Sequence, residues 1–154
     1  MKLSVTQENL SRALNTVSRI ASTRGSLPIL SNVLLKTSHN QLIVEATNLD
    51  VAISETIGAK IKSEGSVTVP ARLMQDYVSS LPPSTLTLEV KDNKLKLTTE
   101  HHTSTINGTP ADDFPVDIIV IPLVIPYVIR MQRGHDPPPL VLTDEPGIQI
   151  VSTI

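Results

Sequence analysis

Apolar residues along the first 115 positions change period in a fixed order, and that order occurs twice. In Met1–Val5, Leu3 and Val5 alternate with polar neighbours, the pattern of a half-buried strand. From Gln7 the period becomes helical, with Leu10, Ala13, Leu14, Val17 and Ala21 on one stripe. Thr6 is placed to cap this helix, and Gly25 with Pro28 to end it. Three strands are predicted next, Ile29–Thr37, Gln41–Thr47 and Val51–Ala59 or slightly beyond, separated by turns at Ser38-His39-Asn40 and Asn48.

The second pass repeats this order. Gly65–Val69 reads as a strand, and Pro70 opens a helix as its first residue, with Leu73, Tyr77, Val78 and Leu81 at helical spacing. Pro82 and Pro83 stop that helix. Thr85–Val90, Lys94–Thr99 and Thr103–Asn107 follow as strands, the first two joined by Lys91-Asp92-Asn93. The expected fold class is α+β: duplicated β-α-β-β-β units with two helices packed on antiparallel sheet.

Composition narrows what fills this frame. One Phe, two Tyr and no Trp leave the core to Leu, Ile and Val. Phe114 is expected to anchor the end of the domain. Leu27, Ile29, Leu30, Val33 and Leu34 are expected in the core or on a sheet face. No cysteine is present, so there is no disulfide framework and no thiol nucleophile. The start of the chain reads as a strand and not as a secretory leader. Val116–Ile129 is greasy but short and interrupted by Pro122 and Pro126, which argues against a membrane span. A cytoplasmic location is the expectation.

The net charge of −2 does not advertise a polyanion partner, and residues 1–115 balance, with 11 Lys or Arg against 11 Asp or Glu. The distribution is more informative. Arg12 and Arg19 fall in the first predicted helix, seven positions apart and so on one face, Arg24 just after it, and Arg72 in the second. All seven lysines of this region fall on predicted strands or turns. Arginines opposite an apolar stripe form a solvated helix face in the ordinary case, and a phosphate-contacting face in the pointed one.

Catalytic patterns are weak. His101 and His102 are adjacent, which on a strand sends them to opposite faces, and His39 and His135 stand in turn-like contexts. No metal-ligand spacing, nucleophile elbow or phosphate-cradling glycine cluster occurs, and Asp112-Asp113 reads as exposed loop charge. No enzyme activity, cofactor or metal is expected.

Four segments, in order and at matched spacing, carry a resemblance. They are Thr23-Arg24-Gly25-Ser26-Leu27-Pro28-Ile29-Leu30-Ser31-Asn32-Val33-Leu34-Leu35, Ala46-Thr47-Asn48-Leu49-Asp50, Val67-Thr68-Val69-Pro70-Ala71-Arg72, and Pro110-Ala111-Asp112-Asp113-Phe114-Pro115. Residues 1 to about 115 resemble the first domain of the bacterial beta sliding clamp, the processivity subunit of DNA polymerase III. The resemblance implies a non-enzymatic fragment of a ring that encircles duplex DNA and tethers the replicative polymerase. In that family three such domains per subunit, and two subunits head to tail, form a ring lined by helices, which binds the polymerase and the clamp loader.

Carried over by position, Arg24 and Arg72 resemble DNA-facing sites, with Arg12 and Arg19 added by helix periodicity. Ser104 and Ile106, on the last strand, resemble part of the subunit contact, although Ser104 stands where clamps often carry a large apolar residue. The family's partner-peptide cleft lies between its second and third domains and has no counterpart in this chain, which is therefore not expected to close a ring alone. The alternative reading is a free-standing clamp-like domain that binds protein and does not tether DNA.

Residues 116–154 depart from the family. They are Pro-rich and apolar, with Pro122, Pro126 and Pro137-Pro138-Pro139 breaking any regular element. The favoured reading is an ending substituted by a frameshift or a faulty gene model, against a divergent extension or an interaction segment. The expected division is thus 1–115, a clamp-like domain, and 116–154, a divergent tail.

Overall fold

The computed structural model describes residues 1–21, 27–115 and 149–152. Their elements are β1 (Lys2–Thr6), α1 (Gln7–Val17), β2 (Asn32–Ser38), β3 (Gln41–Thr47), β4 (Val51–Gly58), β5 (Lys60–Ser63), β6 (Ser66–Pro70), α2 (Ala71–Ser80), β7 (Thr85–Lys91), β8 (Lys94–Thr98), β9 (Thr103–Asn107) and β10 (Gln149–Ser152). Short 3-10 turns cover Pro28–Ser31 and Ala111–Asp113. The β-α-β-β-β order is present twice, as the apolar pattern predicts.

The local chemistry of the two units matches. Each leading hairpin turns through two left-handed residues, His39-Asn40 between β2 and β3 and Asp92-Asn93 between β7 and β8, the backbone that a two-residue turn needs to follow the strand twist. Each second connection is closed by side chains, with Thr47 Oγ1 accepting from the Leu49 amide in the first. Asn48 Oδ1 accepts from the amides of Asp50 and Val51, and Thr99 Oγ1 from those of His101 and His102. His101 and His102 therefore sit in a turn and not on a strand.

Five-stranded antiparallel sheets form in the orders β5-β1-β7-β8-β9 and β10-β4-β3-β2-β6. The first strand of each unit thus joins the sheet of the other: β1 lies against β7, and β6 against β2. Leu3 pairs with Leu88, and Val69 with Val33, all four fully buried. One core cluster consequently runs through both sheets and both helices, from Leu3 and Leu14 to Met74, Val78, Leu88 and Leu97. Phe114, 7% exposed, is buried outside this cluster.

Several boundaries differ from the sequence expectation. The strand predicted from Ile29 begins at Asn32, because Pro28 opens a 3-10 turn in which the Leu30 amide bonds the Leu27 carbonyl. Leu27 is exposed there, not in the core. The single strand predicted over Val51–Ala59 divides after Gly58, where the chain leaves β4 and crosses to the other sheet as β5, beside β1. Pro70 is the N-cap of α2 and ends β6, so the helix starts one residue later than expected. The buried stripe of α2 is Ala71, Met74 and Val78, continued by Leu81, and it leaves Leu73 facing solvent.

Gly108 shows how tightly the two sheets are joined. A Cβ there would lie 2.5 Å from the Thr68 carbonyl oxygen and 2.8 Å from that of Asn93. The Gly108 amide donates to Asn93, and Thr109 then exchanges backbone bonds with Thr68 of β6. These two neighbours are backbone and cannot yield cheaply, and Val67 Cγ2 stands at 2.8 Å beside them. Gly108→Ala is expected to cost about 1–3 kcal/mol, the range for overpacking, read as a lower urea midpoint; an unchanged midpoint would refute the steric account.

On the face of β3 turned away from the helices, burial pushes the Glu45 carboxyl above its ordinary value, against the opposing influence of the Ser54 hydroxyl at 3.0 Å and the charge of Lys36. A raised carboxylate pKa makes ionisation unfavourable to the fold. Stability from this group is therefore intact below the ordinary carboxylate range and declines as pH rises through the elevated folded value. Glu45→Gln is expected to remove that decline, so its stability difference from wild type should grow from acid to neutral pH. Urea unfolding across that interval checks this, and parallel profiles would rule it out.

Candidate nucleic-acid interface

The two helices lie antiparallel, held by an equivalent pair of contacts across their seam. Ser11 and Ser79 share a hydroxyl contact of 3.3 Å, and Gln75 Nε2 donates to Asn15 Oδ1 at 2.7 Å. Ser18, just beyond α1, donates to Gln75 Oε1 at 2.6 Å, which brings the end of α1 to the start of α2. Beneath the rim, the buried Gln7 amide donates to the Val78 carbonyl. Polar residues at these positions fasten the pair at its surface while Leu10, Leu14, Met74 and Val78 fasten it below.

This geometry sorts the candidate arginines. Arg12 is on α1, capped by Thr6 as expected, and Arg72 is in the first turn of α2; both are exposed. Arg19 is also exposed but, contrary to the sequence expectation, lies beyond the end of α1. Helix α1 stops at Val17, and the Ile20 amide bonds the Val17 carbonyl in a tighter turn. The stripe therefore ends before Ala21, eight residues short of Gly25. Arg12 and Arg19 nevertheless line one shallow cavity of about 690 Å³ with Asn15, Thr16 and Ile53. Arg72 lines a second, smaller hollow with Ser18, Gln75 and Asp76. Arg24 lies outside the described residues.

The surroundings of these cations are not uniform. Arg12 Nε is 3.9 Å from Glu55 Oε1 on β4, an acidic neighbour the sequence reading missed. Arg72 stands at a helix start with no acidic residue in the first turn and no side-chain cap from Pro70. The guanidinium and the free amides of that turn thus add to one positive potential, offset in part by Asp76 one turn on in the same hollow. The lysines fall on strands and their ends, as expected: Lys2, Lys36, Lys60, Lys62, Lys91, Lys94 and Lys96. The helix layer carries arginine and the sheets carry lysine.

The strand candidates separate in the same way. β9 is an edge of its sheet. Ile106 is 4% exposed and belongs to the core, so its side chain is turned away from any neighbour at that edge, whereas Ser104 is half-buried. The side chains that β9 leaves exposed are Thr103, Thr105 and Asn107.

Among the described residues no cluster of His, Asp or Glu has the makings of a metal site, and no helix is long and apolar enough to cross a membrane. Of the tail, only β10 is described; it pairs with β4, Ile150 opposite Ile53. The reading of 116–154 as a frameshifted ending otherwise lies outside the described residues.

Comparison with known proteins matches residues 1–118 to a family described as DNA polymerase III beta subunit, N-terminal domain. The chain is 38% identical over 124 residues to the beta sliding clamp of Synechocystis, a match covering 75% of this chain and 32% of the relative. It is 35% identical over 117 residues to the beta sliding clamp of Vibrio cholerae, with the same coverage. Among solved structures, Caulobacter crescentus pol III beta superposes with a TM-score of 0.72 at 33% identity, over 75% of this chain and 32% of that one. The Pseudomonas aeruginosa DNA polymerase III subunit beta gives 0.72 at 32% identity with equal coverage. The chain thus spans about a third of the length of the relatives it matches.

Proposed function

We propose a DNA-tethering function from one premise: the chain belongs to the bacterial DNA polymerase III beta sliding clamp family and carries the fold of its N-terminal domain. Members of this family are non-catalytic processivity factors. In our reading the domain supplies one arc of a ring around duplex DNA, with α1 and α2 toward the duplex and the sheets outside. Within a full-length subunit it would serve the polymerase and the clamp loader by holding the ring on the template.

The observation that carries this reading is the antiparallel helix pair, which presents Arg12, Arg72 and the adjoining Arg19 to solvent on a fold whose lysines lie on the sheets. Such a surface suits phosphates and not base edges. Its cations emerge from two short helices fastened side by side, with no single helix standing clear to enter a major groove. Contacts of this kind are weak one by one and indifferent to sequence, as a surface that slides requires. Ring closure is proposed at the β9 edge, through backbone pairing and not through the Ile106 side chain.

Backbone NMR shifts on titration with short duplexes at low salt test the reading. We expect perturbations in α1, in Ser18–Ala21 and in the first turn of α2, alike for unrelated duplex sequences and fading as salt is raised. Perturbations confined to the outer strands, or dependent on sequence, would overturn it.

A further inference from the structure

We propose that Glu55 is a built-in counter-charge that restrains Arg12 and so sets how much of that guanidinium reaches a phosphate. The inference rests on the DNA-tethering reading. It starts from register: Ile53, Glu55 and Ile57 alternate along β4 and pair with Ala46, Val44 and Leu42, which are fully buried. Paired residues share a face, so Glu55 stands on the helix-facing side between two isoleucines. A carboxylate there is out of keeping with the rest of the stripe.

Its compensation is incomplete. The Glu55 side chain is 12% exposed, and its Oε2 atom is buried with no hydrogen-bond partner among the described residues. The Arg12 Nε, 3.9 Å from the other oxygen, is too far for a hydrogen bond, so charge alone links the two groups. A carboxylate shut away from water depends on such a neighbour. Arg12 is 68% exposed, however, and lines the open cavity shared with Arg19. It is tethered by attraction and free to turn outward.

Turning toward a phosphate takes Arg12 away from Glu55 and leaves the carboxylate less compensated. That cost is subtracted from the phosphate contact. By linkage, the same coupling means that a bound polyanion loosens the Arg12–Glu55 pair. Among the described residues Arg72 makes no ion pair, so its phosphate contact carries no such deduction. The two helices themselves thus hold one restrained cation, Arg12, and one free one, Arg72.

Glu55→Gln removes the charge while keeping the side chain's shape. In the full 154-residue chain, fluorescence anisotropy with a short labelled duplex at low salt is expected to show association tightened by about two- to fivefold, the range of a partly screened ion pair. The gain should vanish when Arg12→Ala is added, which separates release of Arg12 from a general change in net charge. Unchanged association, or a gain that persists without Arg12, would overturn the proposal.

Should Glu55→Gln fail to fold, as judged by circular dichroism, the single variants decide. Arg12→Ala is expected to weaken association less than Arg72→Ala does, and equal losses would overturn the restraint. Failure of the underlying reading looks different: Arg72→Ala without effect, or no association by any folded variant, removes the DNA surface itself. A loss with Arg72→Ala beside no effect of Glu55→Gln removes only the counter-charge.

Discussion

Leu3→Ala is expected to lower the free energy of unfolding by about 2–5 kcal/mol and to leave both sheets melting in a single step. Leu3 is fully buried and sits on β1, the strand that belongs to the first unit by sequence and to the second unit's sheet by pairing. It lies opposite Leu88 on β7 and Ile61 on β5. The cavity left by its side chain would therefore open where the two units interlock, in the cluster that also holds Leu14, Val67 and Met74.

A domain of ordinary stability has about 5–15 kcal/mol in total, so the loss would be large. Urea unfolding followed by circular dichroism and by NMR signals from each sheet measures it. Separate transitions would show that the units are independent, contrary to the interlocked topology. Leu73→Ala supplies the contrast: Leu73 is 54% exposed, and its loss should stay within about 0.5 kcal/mol.

That contrast also marks how far the sequence could be read. Strand, helix and turn identities are local properties. Alternation at Leu3 and Val5, the Thr6 cap and the polar pairs His39-Asn40 and Asp92-Asn93 announce them directly. The exchange of first strands is not local. An interlocked pair of units and a separate pair have the same order of elements, and only the packing of Leu3 on Leu88 and of Val69 on Val33 decides between them. Leu73 was misread because Leu73, Tyr77 and Leu81 repeat at a helical interval as convincingly as Ala71, Met74, Val78 and Leu81, which the sheet selects.

The site was legible to a similar depth. Arg12 and Arg72 could be assigned to helices from periodicity, and they lie there. Arg19 was assigned to the same helix but lies beyond it, because the end of α1 is fixed by the turn at Val17–Ile20 and not by Gly25. Glu55 gave a signal that was passed over: a charged residue between Ile53 and Ile57 in a strand of alternating burial. Period two places it on the inner face, but its pairing with Arg12 depends on how α1 crosses β4, which no local pattern reports.

Changing Arg24 and Arg72 together to Ala should weaken association with duplex DNA without weakening the fold. Each phosphate contact contributes about 0.9 to the slope of log affinity against log salt. Losing two should therefore make the slope shallower by about 2, equally for unrelated duplex sequences. Arg24 enters through the resemblance of its segment to the clamp family, and Arg72 through its place at the start of α2.

The helix itself makes the test discriminating. A cation in the first turn opposes the helix dipole by about 0.3–1 kcal/mol, and no acidic residue in that turn offsets Arg72. If Arg72 served the fold alone, its removal would be neutral or mildly stabilising and nothing else would change. Lost association and a shallower slope beside an unchanged or raised urea midpoint would mean that the fold tolerates a misplaced charge because the phosphate backbone uses it. An unchanged slope would take both arginines out of the DNA surface and leave that surface to Arg19 and to Arg12, the one that Glu55 already holds in part.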